Sequence, residues 1–391
     1  MTDVLIISNY YPPETGAAAN RIQHLAEGLI KHGKNVTVLC PLPNYPQGKI
    51  FESYKGSFRK TEQINGITVR RLWLLASNSK NKFIRLFSML SFSFSLCWFF
   101  LFNKIQKTVI VQSPPLVVAF TCVLFLRSKK RKLILNVSDL WPSAGLELGA
   151  FKKNLSYNLL KKMERFNYKH ATMILGQSQE IIDHIHLEIN SKNCFLYRNY
   201  PDFTANELVF EQNTESKLKI VYAGLLGVAQ GIYALIQELD YSNIELHLYG
   251  NGPEKDNIMD YITNHPDIPV TYHGQVSRET LHLALQQYDL TIIPLLNRIY
   301  GSVPSKIFEY AKLGMPVLYF GGGEGETIVQ QFDLGWVAEA GNYSELNSVI
   351  SNIRKQNLHT ERRQIIKQLA EKQFNFEKQL VEAISWIESG N

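Results

Sequence analysis

The segment GSVPSKIFEY, residues 301–310, combines a cation and an acid at a spacing that suits nucleotide binding. Pro304 fits the first turn of a helix, and the free N–H groups of a helix start, here including that of Ser305, bind phosphate. Lys306 would add a full positive charge. Glu309, one turn later, would accept hydrogen bonds from hydroxyls such as those of a ribose. The segment therefore predicts a nucleoside diphosphate site, although an exposed lysine and an acid favoured by the helix dipole explain it equally well.

Glycine-bearing loops recur where predicted strands end. Gly16 follows the first strand, in YYPPETGAAANR (10–21). Gly224 follows the first strand of the second half, and Gly250 and Gly252 of GNGPE follow the next one. Val276 lies in HGQVS, after the third strand, where the backbone could pair with a base edge. Each loop alone is as readily a tight turn, but together they indicate a ligand, because ligands of doubly wound sheets bind beyond the carboxyl ends of the strands.

Asp139 in the segment DLWP (139–142) closes a strand of the first half. An acid at a strand end can act as a base or bind a hydroxyl. Such an acid more often caps a helix or satisfies a loop, so the segment alone leaves both interpretations open.

Short apolar runs alternate with amphipathic stretches along the whole chain, beginning with VLIIS (4–8) and the helical AANRIQHLAEGLIKHG (18–33). This alternation predicts an α/β fold with parallel, doubly wound sheets. The pattern restarts after the polar stretch NELVFEQNTESK (206–217), so we expect two domains of similar size. The last stretch, FEKQLVEAISWIE (376–388), is amphipathic and fits against either of them.

The charge of the chain is distributed unevenly. Of its 391 residues, 45% are hydrophobic and 19% charged, which is typical of a globular protein. Residues 1–200 hold 27 Lys and Arg and 11 Asp and Glu, whereas residues 201–391 hold 14 and 24. The basic half favours an anionic partner, either nucleic acid or an anionic membrane surface. The four cysteines have no ligand-like spacing, which suggests reduced thiols and a cytoplasmic location.

The segment FIRLFSMLSFSFSLCWFFLF (83–102) is the most apolar part of the chain. It is at the short limit for crossing a bilayer, and its position between two strands of one sheet favours a buried or membrane-lying helix. Basic residues flank it, and RSKKRK (127–132) follows a second apolar run. This combination predicts peripheral attachment to an anionic membrane, with a solvated basic face as the alternative. Nucleic acid is not expected, because no aromatic stacking motif of the RNA-binding kind accompanies these bases.

Several common motifs are missing. The sequence has no D-x-D that would hold a metal on a diphosphate. It has no P-loop, and no G-x-G-x-x-G follows the first strand. We therefore expect no metal and no dinucleotide cofactor.

Five segments, NYYPPETGAAANRI, PNYPQG (43–48), DLWP, GNGP and VPSKIFEYAKLGMPV, resemble the GT-B glycosyltransferases of family 4. They are most similar to the branch that builds bacterial O-antigen and capsule, including transferases for N-acetylfucosamine. The resemblance covers nearly the whole chain. It implies two doubly wound Rossmann-like domains facing a central cleft: an acceptor domain of residues 1–205, completed by the helix 376–391, and a nucleotide-sugar domain of residues 206–375.

The resemblance implies functional roles for two residues of this chain, Glu309 and Asp139. Glu309 matches the second glutamate of the family's E-x7-E motif, the one that binds ribose. The first glutamate, which contacts the donor sugar, would fall at Gly301. Ser138 occupies the place of a histidine that touches the donor sugar in many relatives, which makes the adjacent Asp139 a candidate for acceptor activation or sugar contact.

The family's diphosphate-binding Arg and Lys would fall near Leu225 and Gln230, and neither residue is charged. We therefore assign the phosphate role to Lys306, with Arg298 as a helper and Gly16 beside them. Lys306 and Asp139 are the predicted catalytic residues.

The resemblance implies a retaining, metal-independent transferase that moves a sugar from a UDP-sugar to a polyprenyl-diphosphate-linked saccharide at the inner face of the plasma membrane. The sugar would be an N-acetylhexosamine or a deoxy-aminohexose. Two alternatives stay open: a nucleotide-sugar epimerase, and an inactive transferase homologue that serves as an assembly scaffold.

Overall fold

The computed structural model describes residues 3–79, 81–147, 149, 152–204, 217–296, 299–354 and 358–389. It divides the chain into two compact units. The first unit contains Met1–Asn199 and Glu377–Asn391, and the second contains Tyr200–Phe376. The predicted boundary between residues 205 and 206 lies outside the described residues.

The first unit is built on a sheet of eight strands. They are β1 (Asp3–Ile7), β2 (Asn35–Pro41), β3 (Arg59–Ile64), β4 (Ile67–Leu72), β5 (Thr108–Ser113), β6 (Lys132–Val137), β7 (Met173–Gly176) and β8 (Cys194–Leu196). Their order is β3-β4-β2-β1-β5-β6-β7-β8. All pairs are parallel except β3 with β4. The central strands are continuous apolar runs because helices cover both faces of such a sheet.

The second unit is built on a parallel sheet of six strands. They are β9 (Leu218–Leu225), β10 (Ile244–Asn251), β11 (Val270–Gly274), β12 (Leu290–Pro294), β13 (Val317–Phe320) and β14 (Gly335–Ala338). Their order is β11-β10-β9-β12-β13-β14. Two clusters of buried apolar side chains form its core, with Leu246 and Leu248 in one and Val221 and Ile293 in the other.

The helices connect these strands, and one 3₁₀ turn lies at Glu52–Tyr54. In chain order they are α1 (Ala17–Lys31), α2 (Lys82–Phe102), α3 (Leu116–Leu126), α4 (Ser143–Glu147), α5 (Leu155–His170), α6 (Gln179–Glu188), α7 (Ile232–Glu238), α8 (Lys255–Asn264), α9 (Arg278–Leu285), α10 (Lys306–Lys312), α11 (Glu324–Gln331), α12 (Tyr343–Asn352), α13 (Thr360–Gln373) and α14 (Phe376–Ser389). Helix α14 packs on the first unit, where Gln379 exchanges two hydrogen bonds with the backbone of Arg198.

The predicted fold class, α/β with two parallel-sheet domains, is confirmed. Three strands are absent from the sequence prediction: β3, β8 and β14. The segment RKTEQI of β3 alternates between half-buried and exposed residues at the edge of the sheet, so it lacks the apolar run by which central strands are recognised. Strand β8 has only three residues, and β14 lies at the edge of its sheet with three of its four residues half-buried, so neither forms a buried apolar run.

The apolar segment 83–102 forms most of α2, which packs against α3. Part of its surface is exposed, including Trp98 and Phe102. Within the described part of the chain, no helix has both the length and the hydropathy needed to cross a membrane.

The strand orders locate a ligand-binding edge in each unit. In the first unit β1 lies between β2 and β5, and in the second β9 lies between β10 and β12. The order of the strands reverses at these points, so the loops there diverge and leave a crevice beyond the carboxyl ends. Gly16 lies in the loop after β1, Gly224 near the end of β9, and Lys306 at the start of α10, which follows β12.

Candidate functional site

Two glycines form the edge of the second unit's sheet at the switch point. Gly224 of β9 and Gly250 of β10 are register partners. Gly250 has a φ of +135°, and a Cβ atom there would lie 1.8 Å from the carbonyl oxygen of Gly224. Gly252 is equally confined, since its Cβ would lie 2.3 Å from the carbonyl oxygen of Leu226. The backbones therefore approach too closely for any side chain, and the edge stays open.

Lys306 lies directly above this edge. Its Nζ is 2.9 Å from the point where a Cβ of Gly224 would be. Nζ donates to Tyr310 Oη at 3.2 Å, and Tyr310 Oη donates to the carbonyl of Ala223 at 3.0 Å. Burial lowers the pKa of Lys306 to about 8, although the charge of Glu309 raises it. No described acid forms a direct ion pair with Lys306, so this half-buried cation faces the glycine edge with only the more distant charge of Glu309 acting on it.

Helix α10 begins at Lys306, and Ser305 is its N-terminal flanking residue. The side chain of Ser305 makes no capping hydrogen bond, so it does not occupy the first-turn amides. Pro304 was expected in the first turn but lies before it. The reason is a tight turn in which the N–H of Ile307 donates to the carbonyl of Pro304 at 3.1 Å.

Glu309 is held by two donors from the neighbouring helix α9. Arg278 Nε lies 3.0 Å and His282 Nε2 2.8 Å from the same oxygen, Oε1. Because a carboxylate only accepts, His282 Nε2 carries a proton. Burial alone would raise the pKa of Glu309, but the hydrogen bond from His282 and the charges of Arg278 and Lys306 lower it to about 2. Oε2 accepts no hydrogen bond from any described residue and can accept one from a ligand hydroxyl.

Sequence reasoning missed Arg278 and His282. Both lie on the first turns of α9, four residues apart, so they project from one face of that helix. This spacing was visible in the sequence, but their partner on α10 was not. The predicted Val276 lies just before α9, half-buried against the core that also contains Ile307. Arg298, the predicted phosphate helper, lies outside the described residues.

The uncharged positions Leu225 and Gln230 flank the same edge. The side chain of Leu225 is exposed. Gln230 Oε1 is buried and accepts no hydrogen bond from the described residues. This oxygen is therefore available to accept a hydrogen bond from water or from a ligand. Gly301, where a family glutamate would fall, has a φ of +82°, a conformation that strains any residue with a side chain.

Asp139 follows β6 in the first unit and ends a chain of polar side chains. Asn136 Nδ2 donates to Gln112 Oε1 at 2.9 Å, and Gln112 Nε2 donates to Ser138 Oγ at 3.0 Å. Ser138 Oγ then donates to Asp139 Oδ2 at 3.2 Å. Burial raises the pKa of Asp139, although the charge of Arg21 and the bond from Ser138 lower it. The carboxylate is therefore more basic than a solvated one.

Arg21 on α1 is a second residue that the sequence reasoning missed. It is buried, and its Nη1 donates to Gln177 Oε1. Its Nε is also buried and finds no acceptor within the described residues. Helix α1 thus brings a cation near Asp139, and Gly16 directly precedes the same helix.

Gly16 precedes α1 and offers no side-chain cap. It borders a cavity of about 280 Å³ whose walls include Tyr10, Thr15 and Tyr45. Glu14 also lines this cavity. Its buried carboxylate accepts hydrogen bonds from the N–H groups of Asn44 and Tyr45, each at 2.9 Å, which holds the neighbouring loop in place. Gly16 and Asp139 belong to the first unit, and the other described candidates belong to the second. No group of three or more potential metal ligands occurs among the described residues.

Both parts of the chain match families of known domains. Residues 16–191 match the family model described as a glycosyl transferase 4-like domain. Residues 205–373 match the family model described as glycosyl transferases group 1. The chain belongs to the GT-B glycosyltransferase superfamily. The superfamily predicted from the five motif segments is thereby confirmed, and the narrower likeness to N-acetylfucosamine transferases stays a prediction.

Solved structures share the fold of this glycosyltransferase. Sucrose-phosphate synthase from Thermosynechococcus elongatus has 13% identity and a TM-score of 0.74, covering 99% of this chain and 98% of that one. HepE of Anabaena, in complex with UDP-glucose, has 14% identity and a TM-score of 0.66, and the match covers 98% of this chain and 100% of HepE. The lipopolysaccharide outer core galactosyltransferase WaaB has 15% identity and a TM-score of 0.65, and the match covers 98% of this chain and 99% of WaaB. A comparison with curated proteins finds no match.

The second unit of the glycosyltransferase therefore presents a cation and an oriented carboxylate on α10, beside an open glycine edge formed by β9 and β10. A cation without a direct ion-pair partner can stabilise a phosphate, and a carboxylate with one open oxygen can accept a hydroxyl. In the first unit, a carboxylate with a raised pKa lies beside a buried arginine. The groups of the second unit suit the binding of a phosphorylated, hydroxyl-rich ligand.

Proposed function

We propose that this glycosyltransferase transfers a sugar from a UDP-sugar to a lipid-linked saccharide, with retention of anomeric configuration and without a metal. The observation that carries the proposal is the position of Lys306, half-buried above Gly224 with no acid paired to it. The diphosphate of the donor would be its counterion. Glu309 Oε2 would accept a ribose hydroxyl while Arg278 and His282 hold the opposite oxygen.

In the proposed reaction the bond between the anomeric carbon and the diphosphate oxygen breaks, and a bond to the acceptor hydroxyl forms on the same face of the sugar. The proton of the acceptor passes to the departing phosphate oxygen. Lys306 and the first amides of α10 would stabilise the charge that develops on the diphosphate, an effect that usually supplies the largest part of a rate enhancement. Asp139 would contact the sugar or orient the acceptor.

Two solved relatives support the choice of substrates. HepE was solved with UDP-glucose, and WaaB acts on the outer core of lipopolysaccharide. The N-acetylhexosamine or deoxy-aminohexose donor rests on the likeness of the motif segments to O-antigen and capsule transferases. Attachment to the inner face of the plasma membrane rests on the basic charge of the first unit and on the exposed side chains of α2.

The first test is calorimetric titration of the full chain with UDP, GDP and ADP in the presence of EDTA. We expect UDP to bind most tightly. Glu309→Gln should weaken UDP binding about 10- to 100-fold, because a hydrogen bond to a charged group contributes about 1.5–3 kcal/mol. Glu371→Gln, an exposed change on α13, is the control and should leave the affinity unchanged.

Turnover is then measured with UDP-N-acetylhexosamines and a polyprenyl-diphosphate saccharide. Transfer without metal supports the proposal, and the configuration of the product distinguishes retention from inversion. If no nucleotide binds the wild-type chain, the mechanism is wrong and the scaffold alternative is favoured. Interconversion of UDP-sugars in the absence of an acceptor would indicate an epimerase.

A further inference from the structure

A cavity in the first unit lies at the amino-terminal edge of its sheet, opposite the edge that carries Asp139. Its volume is about 630 Å³. The start of β1, β5 and β6 and the end of α14 form its walls. Its apolar lining consists of Val4, Leu29, Ile110, Ile384 and Ile387. We call this cavity the basal groove.

The rim of the basal groove is strongly basic. Six cations line it: Lys34, Lys107, Lys129, Lys130, Arg131 and Lys132. Its one lining acid, Glu388, already pairs with Lys34. Two of the other cations are bound to backbone carbonyls, since Lys132 donates to Ile387 and Glu388 and Arg131 donates to Gln106 and Leu126.

The remaining three cations are Lys107, Lys129 and Lys130. All three are exposed, and none forms an ion pair with a described acid. Lys129 and Lys130 lie in the short turn between α3 and β6, and Lys107 immediately precedes β5. Three uncompensated charges above an apolar floor favour a ligand that has both an anionic head and an apolar body.

An exposed apolar face adjoins the groove. Phe94, Trp98, Leu101 and Phe102 recur along one side of α2 and are 60–69% exposed. Leu124 and Phe125, at the end of α3, are 42% and 44% exposed. These six residues form the apolar face.

Arg131 connects the apolar face to the groove. Its Nη1 donates at 2.8 Å to the carbonyl of Leu126, the last residue of α3, and its Nε donates at 3.0 Å to Gln106, just after α2. The end of α3 and the segment that connects α2 to β5 therefore lie at the rim of the groove.

We propose that the basal groove binds the phosphate head group of an anionic membrane lipid while the apolar face enters the bilayer surface. The inference goes beyond the proposed function, because the lipid bound here is a membrane anchor and not the acceptor. It assigns the lipid to a defined groove on the edge remote from the transfer chemistry. Free phosphate shares the anionic chemistry, but it would leave the apolar floor and the apolar face unused.

The test is co-sedimentation of the full chain with vesicles of phosphatidylcholine, either alone or mixed with phosphatidylglycerol. We expect binding to the mixed vesicles only. The variant Lys129→Ser/Lys130→Ser should partition about 30-fold less, because each basic residue near an anionic surface contributes about 1 kcal/mol and 1.4 kcal/mol is a factor of ten. The control Arg354→Ser/Lys372→Ser removes the same charge from exposed positions of the second unit and should partition like the wild type.

A second measurement separates a lipid site from a phosphate site. Dihexanoyl phosphatidylglycerol below its micellar concentration should bind the wild type and not the Lys129→Ser/Lys130→Ser variant, and glycerol phosphate should bind neither. Equal partition of the two charge-matched variants would overturn the groove assignment, as would equal affinities for glycerol phosphate and the short-chain lipid. UDP titration of the same variants reports on the second unit, so a failure of the proposed function is recognised independently.

Discussion

Lys306 and Glu309 lie one turn apart on α10, and their surroundings act on them differently. Burial lowers the pKa of Lys306 to about 8, so it is mostly protonated at neutral pH and loses its charge under mildly alkaline conditions. The hydrogen bond from His282 and two nearby cations outweigh burial at Glu309 and lower its pKa to about 2. Of the two groups only the lysine therefore titrates near neutral pH, and a bound diphosphate would hold its proton in place.

We expect UDP affinity to fall as the pH rises through about 8, because the diphosphate requires a protonated Lys306. The variant Lys306→Met should bind UDP about 10- to 100-fold more weakly at pH 7, and its affinity should no longer change between neutral and alkaline pH. Calorimetric titration at a series of pH values checks both. If the wild type shows the same alkaline profile as the variant, Lys306 is not the phosphate ligand.

The stability of the ligand-free protein provides a check on the same group. The unfolded chain holds the Lys306 proton up to a pH of about 10.5, whereas the folded chain releases it at about 8. Between these values the unfolded state binds more protons, so the contribution of Lys306 to the free energy of unfolding rises with pH. Below pH 8 the buried charge destabilises the fold, and Lys306→Met should therefore raise the Tm there. Such a gain in stability would indicate that Lys306 serves binding or catalysis at the expense of stability.

At the scale of the elements, the pairing of β9 with β10 forms the open edge of the second unit. The contact between Gly224 and Gly250 leaves no space for a Cβ atom. Gly250→Ala should lower the free energy of unfolding by about 3 kcal/mol or more, as expected for a backbone clash in a sheet. Gly274→Ala is the matched control, because Gly274 also has a positive φ but a Cβ there meets no atom within 4 Å.

The control Gly274→Ala should lower the free energy of unfolding only by the cost of backbone strain, about 1–2 kcal/mol. Chemical denaturation of both variants measures the difference. Equal losses would mean that β10 shifts to relieve the clash, and the close approach of the two strands would then not be required for the fold.

Helices α9 and α10 show which part of the site the sequence could predict. Lys306 and Glu309 were found because they belong to one segment with a fixed helical spacing. Arg278 and His282 also share a helical face, but their contact with Glu309 joins residues 31 and 27 positions apart in the chain. Local periodicity carries no information about such a pairing. For the same reason Arg21 and Gln177, 156 positions apart, were not predicted beside Asp139.

At the scale of the molecule, each unit has its own sheet and the second has its own apolar core. Domains with separate cores can unfold separately. We therefore expect two transitions in differential scanning calorimetry. UDP at about 100 times its Kd should stabilise the second unit by about 2.7 kcal/mol and raise one Tm by about 5–10 °C. A shift of both transitions together would indicate that the units unfold cooperatively, and no shift would contradict a UDP site in the second unit.

The sequence by itself determined the fold class and the superfamily. Apolar runs alternating with amphipathic stretches require parallel sheets covered by helices, and the motif segments are contiguous in the chain, so both could be recognised without coordinates. The sequence also fixed the unequal distribution of charge between the two halves. These properties depend on composition and on neighbours within a few residues.

The tertiary structure alone decided which oxygen of Glu309 is occupied, that Lys306 lies above Gly224 without a direct ion-pair partner, and that six cations from separate segments surround the basal groove. These features join residues that are distant in the chain. Their burial sets the pKa values and leaves particular charges uncompensated, and burial arises only when the sheets and helices have packed.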